Sequence, residues 1–266
     1  MDEYGGTGTA AALLPEAGHR PAAGAVEVRM LHATAPGEVR AAEQLAGILS
    51  AEERKRAEGF VRAADRGLYL VSHVGLRLLL GAQLGVAPGS VDLRRAPCPL
   101  CAALHGRPEV AAEPELHFSL SHAGEYAMCA TAAVPVGADL EAAANAPGIE
   151  LVPTTLHPEE RSALAALPEE RQAEAFLHCW VRKEAYLKGL GTGLGMAPDT
   201  VRVGLGPQLQ QTPEPPLDGW SLAPVSAPRG YAAAVALLHP GTVAVTVRQL
   251  SIAAVAESGA AAGLSG

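Results

Sequence analysis

The chain repeats itself, and that restricts its architecture more than any other feature. Ala51-Glu-Glu-Arg54 and Pro158-Glu-Glu-Arg161 align at an offset of 107 residues. At that offset Tyr69-Leu70 meets Phe176-Leu177, and Arg77 meets Glu184. Further on, Tyr126-Ala-Met-Cys-Ala and Tyr231-Ala-Ala-Ala-Val align at 105. Each half reads as a long helical region followed by strands. The helix of the first half is the apolar stretch 68–84. Its mate runs from about residue 169 to 188 and is stopped by Gly189, Gly191 and Gly193. The predicted fold class is therefore α/β (α+β), built as two similar halves. Only the second half carries the acidic residues described below, so one active site per chain is expected, at the seam.

The expected organisation is a disordered extension over 1–25, halves over 26–134 and 135–256, and a disordered tail over 257–266. Residues 206–216, with four prolines, read as a loop. Hydrophobic residues make up 48% of the chain and aromatics 4%, so the core must be mainly Ala, Val and Leu. The start, Met-Asp-Glu, shows no signal peptide, and no apolar run reaches the ~18–20 residues of a membrane span. A cytoplasmic protein without a membrane partner is expected, and a monomer. The net charge of −8 argues against nucleic acid. Four cysteines in such a chain imply reduced thiols. Cys98-Pro-Leu-Cys101 with His105 offers three zinc ligands, with no fourth and no second C-x-x-C evident. Cys129 and Cys179 fall in apolar contexts.

Three motifs carry chemistry. The first is Trp180 to Leu194. The chain holds 3 lysines against 17 arginines, and two of those lysines, Lys183 and Lys188, lie here. Lys is a compact point charge where Arg is a planar fork, a difference that matters around phosphate and metal. On a helix Trp180, Glu184 and Lys188 share one face, with Lys183 beside it. The plainer reading is a surface Glu184–Lys188 pair worth ~0.3 kcal/mol with Trp180 in the core.

The second motif is Gly137-Ala-Asp139-Leu-Glu141, after the apolar run 126–134 that reads as a buried strand. In an extended segment Asp139 and Glu141 project from one face. Paired carboxylates of this kind suit Mg²⁺, or else are two solvated acids at a strand end. The third is Phe118-Ser119-Leu120-Ser121-His122-Ala123-Gly124, an alternating strand ending in a turn at Ser121 that can receive phosphate oxygens. The plainer reading is a strand-ending turn with a hydrogen-bonded histidine. A serine-hydrolase reading fails, because no G-x-S-x-G elbow is present.

Taken in order, F-S-L-S-H, G-x-D-x-E and W-x-x-K-E-A-x-x-K-G-x-G-x-G-L, the chain resembles the Sfp-type 4′-phosphopantetheinyl transferases over roughly residues 27–250. Leu49 to Arg54, Phe60, Asp65, Arg77 and the turn His105-Gly106-Arg107-Pro108 agree with that resemblance. It implies halves related by a pseudo-twofold axis, with coenzyme A and Mg²⁺ in the cleft between them. It implies Asp139, Glu141 and Glu184 as Mg²⁺ ligands. Lys183 and Lys188 would hold phosphate oxygens, Ser121 and His122 the phosphate side of the cofactor, and Arg107 a phosphate near the nucleotide. Where members of the family often carry Arg, this chain has Leu68 before Tyr69, and Arg66 or Arg56 would supply that charge.

The activity so implied is transfer of the phosphopantetheine arm to a serine of an apo acyl or peptidyl carrier protein, with release of 3′,5′-ADP. Glu184 and Lys188 are the catalytic candidates, Glu184 as ligand or as general base and Lys188 by charge stabilisation. The alternative is a non-catalytic module that binds a carrier protein or coenzyme A. A different Mg²⁺-dependent phosphotransferase lacks support, since there is no Walker-type loop. The loop 189–195, with Leu190 and Leu194, is expected to meet the carrier; its plainer reading is a helix-terminating turn whose leucines fold inward.

Overall fold

The computed structural model describes residues 14–111, 113–145, 151–206 and 217–259. The expectations for 1–13, 207–216 and 260–266 fall outside those residues. The elements run β1 (Ala25–His32), α1 (Glu38–Gln44), α2 (Ala51–Glu58), α3 (Ala63–Leu84), β2 (Leu93–Arg95), β3 (Pro108–Val110), β4 (His117–Ala123) and β5 (Tyr126–Ala132). They continue through β6 (Val136–Ala142), α4 (Val152–Thr155), α5 (Pro158–Ala165), α6 (Glu169–Leu190), β7 (Ser221–Pro224), β8 (Tyr231–Leu237), β9 (Ala244–Gln249) and α7 (Ile252–Glu257). Helices and sheets are mixed along the chain, an α/β fold. Two compact units form, one from the described parts of 1–19, 35–91 and 249–266, the other from 20–34 and 92–248.

The first unit is helical and built around α3. By length and composition α3 could cross a membrane, with a mean hydropathy of 1.2, which corrects the expectation that no segment reaches that size. Its apolar window is 83% buried, so within this unit it serves as a core helix. Glu38 of α1 accepts hydrogen bonds from Ser251 Oγ at 2.5 Å and Ile252 N at 2.8 Å, which ties α7 to α1. Helix α2 starts with a capping box, Ser50 Oγ accepting from Glu53 N while Glu53 accepts from Ser50 N.

The second unit holds the small β2–β3 hairpin and two larger sheets, of order β4-β5-β1-β9 and β6-β8-β7, in which the β4–β5, β5–β1, β6–β8 and β8–β7 pairs run antiparallel. Their apolar faces share a core that includes Val28, Met30 and Met128 from one sheet and Leu140, Val235 and Leu237 from the other. The edges β4 and β6 meet through side chains. Ser119 Oγ accepts from Ala138 N at 3.0 Å, and Ser121 Oγ accepts from Leu140 N at 3.3 Å. The serines of the S-L-S motif thereby satisfy edge amides that would otherwise be buried without a partner. The expected turn at Ser121 is instead the end of strand β4, which continues to Ala123.

The repeat is visible in the elements. Helices α2 and α5 both have 8 residues and a capping box, with Glu53 and Glu160 at equivalent positions. Helices α3 and α6 both have 22 residues and end at a left-handed glycine, Gly85 and Gly191. Strands β5 and β8 both have 7 residues and start at tyrosine. The geometry shifts one alignment by a residue. Arg77 donates to Glu53 at 2.7 Å and to the carbonyls of Pro88 and Val91. Lys183 pairs with Glu160 at 2.6 Å and donates to the carbonyls of Pro198 and Val201. Arg77 therefore corresponds to Lys183, not to Glu184.

Candidate active site

The site grows from the contact of α6 with β6. A Cβ on Gly137 would lie 1.9 Å from the Ala185 carbonyl oxygen and 2.3 Å from Gly189 N, so only glycine lets the helix settle this close. Across the ladder, Gly137, Asp139 and Glu141 pair with Ala236, Ala234 and Ala232, whose small side chains belong to the core under α6. Period-two alternation sends Val136, Ala138 and Leu140 to the opposite core. Asp139 and Glu141 consequently face Glu184 and Lys188, as the D-x-E spacing predicts.

Lys188 is the cation of the group. Its Nζ lies 2.5 Å from Asp139 Oδ1 and 3.2 Å from Ser121 Oγ, and Ser121 donates to the same Asp139 oxygen at 2.9 Å. In place of the plainer reading, a Glu184–Lys188 surface pair, Lys188 pairs with a buried aspartate, 3% exposed. One ammonium faces three carboxylates. Burial and then Asp139 raise Glu141, and the nearby Trp180 indole tempers that rise. Burial and then Asp139 push Glu184 up to about 7, with Glu141 adding to it and Lys188 opposing.

Two oxygens of this group, Asp139 Oδ2 and Glu184 Oε1, are buried without a hydrogen-bond partner. An unmet buried acceptor costs roughly 1–3 kcal/mol, more when charged. Two of them beside a third carboxylate form the kind of donor set that a hard cation completes. Elsewhere among the described residues, Cys98, Cys101 and His105 bring three ligand atoms within 4.8 Å of one another.

Arg107 enters from the turn before β3. Its Nη1 reaches the Gly189 carbonyl at 3.4 Å, and its Nε is buried without a partner. Gly191 ends α6 at φ 82°, and a Cβ there would press on Arg107 N at 3.1 Å. Arg107 is thereby held at the C-terminal end of the helix that carries Lys188, with a donor left over for an anion.

The other sequence candidates fall elsewhere. Lys183 is fully buried in its pair with Glu160, which also accepts from Val203 N and Gly204 N. The expectation that it holds phosphate is corrected: one residue before Glu184, it is turned by about 100° around the helix toward α5. His122 is exposed while Ser121 is buried, because neighbours on a strand face opposite ways. The two side chains expected on the phosphate side of the cofactor therefore lie on opposite faces of β4. Arg56 is exposed on α2 and Arg66 pairs with Glu43 at 2.6 Å, both in the first unit. Residues that sequence reasoning missed are Ser119, which fixes β6 to β4, and Glu160. The PEER repeat was the signal for Glu160.

Clustered carboxylates, one lysine and an unspent arginine donor lie along the C-terminal part of α6. Residues 135–236 match the 4′-phosphopantetheinyl transferase superfamily, and residues 38–134 match the N-terminal part of 4′-phosphopantetheinyl transferases. The chain is 32% identical over 204 residues to the 4′-phosphopantetheinyl transferase HetI of a Nostoc species, covering 73% of this chain and 81% of that one. It is 27% identical over 201 residues to the 4′-phosphopantetheinyl transferase Sfp of Bacillus subtilis, covering 74% and 86%. The chain belongs to the 4′-phosphopantetheinyl transferase family.

Proposed function

We propose that this enzyme transfers the 4′-phosphopantetheine arm of coenzyme A to a serine of an apo acyl or peptidyl carrier protein in a Mg²⁺-dependent reaction. The observation that carries this reading is the pair of unmet oxygens on Asp139 and Glu184 beside the Lys188 ammonium. Asp139, Glu141 and Glu184 would hold the ion, which when bound supplies charge neutralisation for the diphosphate.

The carrier serine oxygen bonds to the phosphorus of the pantetheine phosphate. The bridging P–O bond to 3′,5′-ADP breaks, and the serine proton departs. The nucleophile belongs to the carrier, in keeping with the absence of a G-x-S-x-G elbow. Lys188 presents a fixed positive charge to the phosphoryl oxygens, held in place by Asp139 and Ser121. Arg107 offers its unused Nε to a further phosphate. Glu184 is the carboxylate of the group suited to take the serine proton when it is not bound to the ion. A cytoplasmic monomer without nucleic-acid or membrane partners is part of the proposal, and the net charge of −8 supports the lack of nucleic acid.

The test is calorimetry of coenzyme A binding to metal-stripped protein, with and without added Mg²⁺. Binding that strengthens on adding Mg²⁺ and loses this gain in Glu141→Ala is the expected result. Binding indifferent to Mg²⁺ removes the acidic group from the ion.

A further inference from the structure

The β2–β3 hairpin ends in a turn whose tip, from Cys98 to His105, the proposed reaction does not use. Its two sides are joined by main-chain bonds, Gly106 N to Ala96 O at 2.9 Å and Ala96 N to Arg107 O at 3.0 Å. Beyond them Cys98 N donates to Ala103 O and Ala102 N to Cys98 O, each at 2.8 Å. This folding brings the ligand atoms of Cys98, Cys101 and His105 within 4.8 Å of one another, and Cys101 Sγ lies 3.0 Å from His105 Nε2. In a tetrahedral zinc site, bond lengths of about 2.3 Å to sulfur and 2.0–2.1 Å to nitrogen place neighbouring ligands roughly 3.5–3.8 Å apart. The three atoms are already gathered on that scale.

We infer that the tip of this hairpin is a binding site for one Zn²⁺, held by Cys98, Cys101 and His105 with water at the fourth corner. Three further observations support it. The backbone N–H of Leu100 points at the Cys98 sulfur, with that of Cys101 beside it. Donors so aimed stabilise a thiolate, the form that binds metal. Ala102, directly after the second cysteine, adopts a left-handed φ of 61°, a conformation that a side chain resists. The strain is the cost of a turn tight enough to put both sulfurs on one side. Cys98 is buried while Cys101 and His105 are exposed, so an ion would have protein on one side and solvent on the other.

Binding replaces two thiol protons, which leave to solvent, and the resulting thiolates neutralise the ion's charge. The consequence for the enzyme is positional. His105 stands two residues before Arg107, and Gly106 between them fits under the Ala96 carbonyl with no room for a Cβ, at 2.6 Å. An ion tying His105 to the two cysteines fixes the strand that delivers Arg107 to the end of α6.

The experiment uses the full chain without a polyhistidine tag, reduced and metal-free, titrated with Co²⁺ as the spectroscopic stand-in for Zn²⁺. Thiolate-to-cobalt charge-transfer absorption with intense visible bands, saturating at one equivalent and displaced by Zn²⁺, is the expected result. The bands should be lost in Cys101→Ser and lose most of their intensity in His105→Ala, yet persist in Asp139→Ala, because carboxylates give no such charge transfer. Hydrogen exchange at residues 98–107 should slow on adding Zn²⁺ to the wild type and not to His105→Ala. Absence of the bands in reduced protein overturns the inference, as do bands unchanged in His105→Ala. Intact mass showing the loss of two hydrogens at Cys98 and Cys101 with no metal uptake after reduction would make the turn a disulfide instead.

Discussion

Replacing Lys183 by Met tests whether this lysine builds the fold or touches the substrate. The wild-type ammonium is fully buried, paired with a Glu160 that is 2% exposed, and donates to the carbonyls of Pro198 and Val201. Methionine fills a similar volume but leaves a buried carboxylate without its cation and two carbonyls without a donor. Breaking a buried pair by removing one partner costs about 3–5 kcal/mol. Glu160 keeps its bonds from Val203 N and Gly204 N, which places the loss toward the lower end of that range. For a domain of this size, each kcal/mol corresponds to about 2–4 °C of melting temperature, so a fall on the order of 10 °C is expected. Differential scanning calorimetry measures it, and coenzyme A KM is read well below the new midpoint, where it should stay near wild type. Lys183→Arg should retain most of the stability, because Arg77 fills the equivalent place with equivalent partners, a glutamate and two main-chain carbonyls. An unchanged melting temperature in Lys183→Met, with a raised coenzyme A KM, would refute the structural role and return Lys183 to the phosphates.

Lys188→Arg keeps the charge but not the point-like geometry at Asp139 and Ser121, and kcat should fall by about tenfold or more; wild-type kinetics would make Lys188 a generic cation. Glu53 is pulled down to about 2 although burial opposes it, by hydrogen bonds from His73, the Ser50 amide and Arg77. A depressed carboxyl stabilises the fold above its unfolded value, near 4.5, and loses that contribution as pH falls toward 2. Glu53→Gln should thus destabilise the protein by on the order of 3 kcal/mol at neutral pH and converge with the wild type in acid melts; a difference that is constant with pH would contradict this. Leu194 is 64% exposed, so Leu194→Asp should leave melting and coenzyme A binding intact while raising the carrier KM. An unchanged carrier KM reduces the loop to helix punctuation.

Much of the site was legible because it rests on short-range periodicity. D-x-E places two acids on one face of any strand, and Glu184 and Lys188 share a face of any helix. The repeat gave the order of elements before any contact was known. What stayed hidden depends on which side of an element meets a neighbour. Lys183 differs from Glu184 by one residue, yet α5 and the 198–203 segment claim its side of α6. Ser121 and His122 read as one turn because Gly124 ends the motif, whereas pairing of β4 with β5 extends the strand to Ala123 and separates the two side chains. Leu190 packs against the core under α6 while Leu194 is exposed, so one leucine of the loop folded inward and one did not. A one-residue slip in the repeat was likewise invisible until the carbonyl partners of Arg77 and Lys183 could be compared.

The most direct measurement is intact mass of a panel of apo acyl and peptidyl carrier proteins after incubation with coenzyme A, Mg²⁺ and this enzyme. A mass increase of one phosphopantetheine group on at least one carrier, with 3′,5′-ADP released in equal amount, is the expected result. The increase should fall by at least about 10²-fold in rate with Asp139→Ala, the scale of losing one preorganised charge-stabilising group. Unmodified carriers throughout the panel, or an Asp139→Ala variant that transfers at the wild-type rate, would contradict the assignment of this acidic cluster as the transferase site.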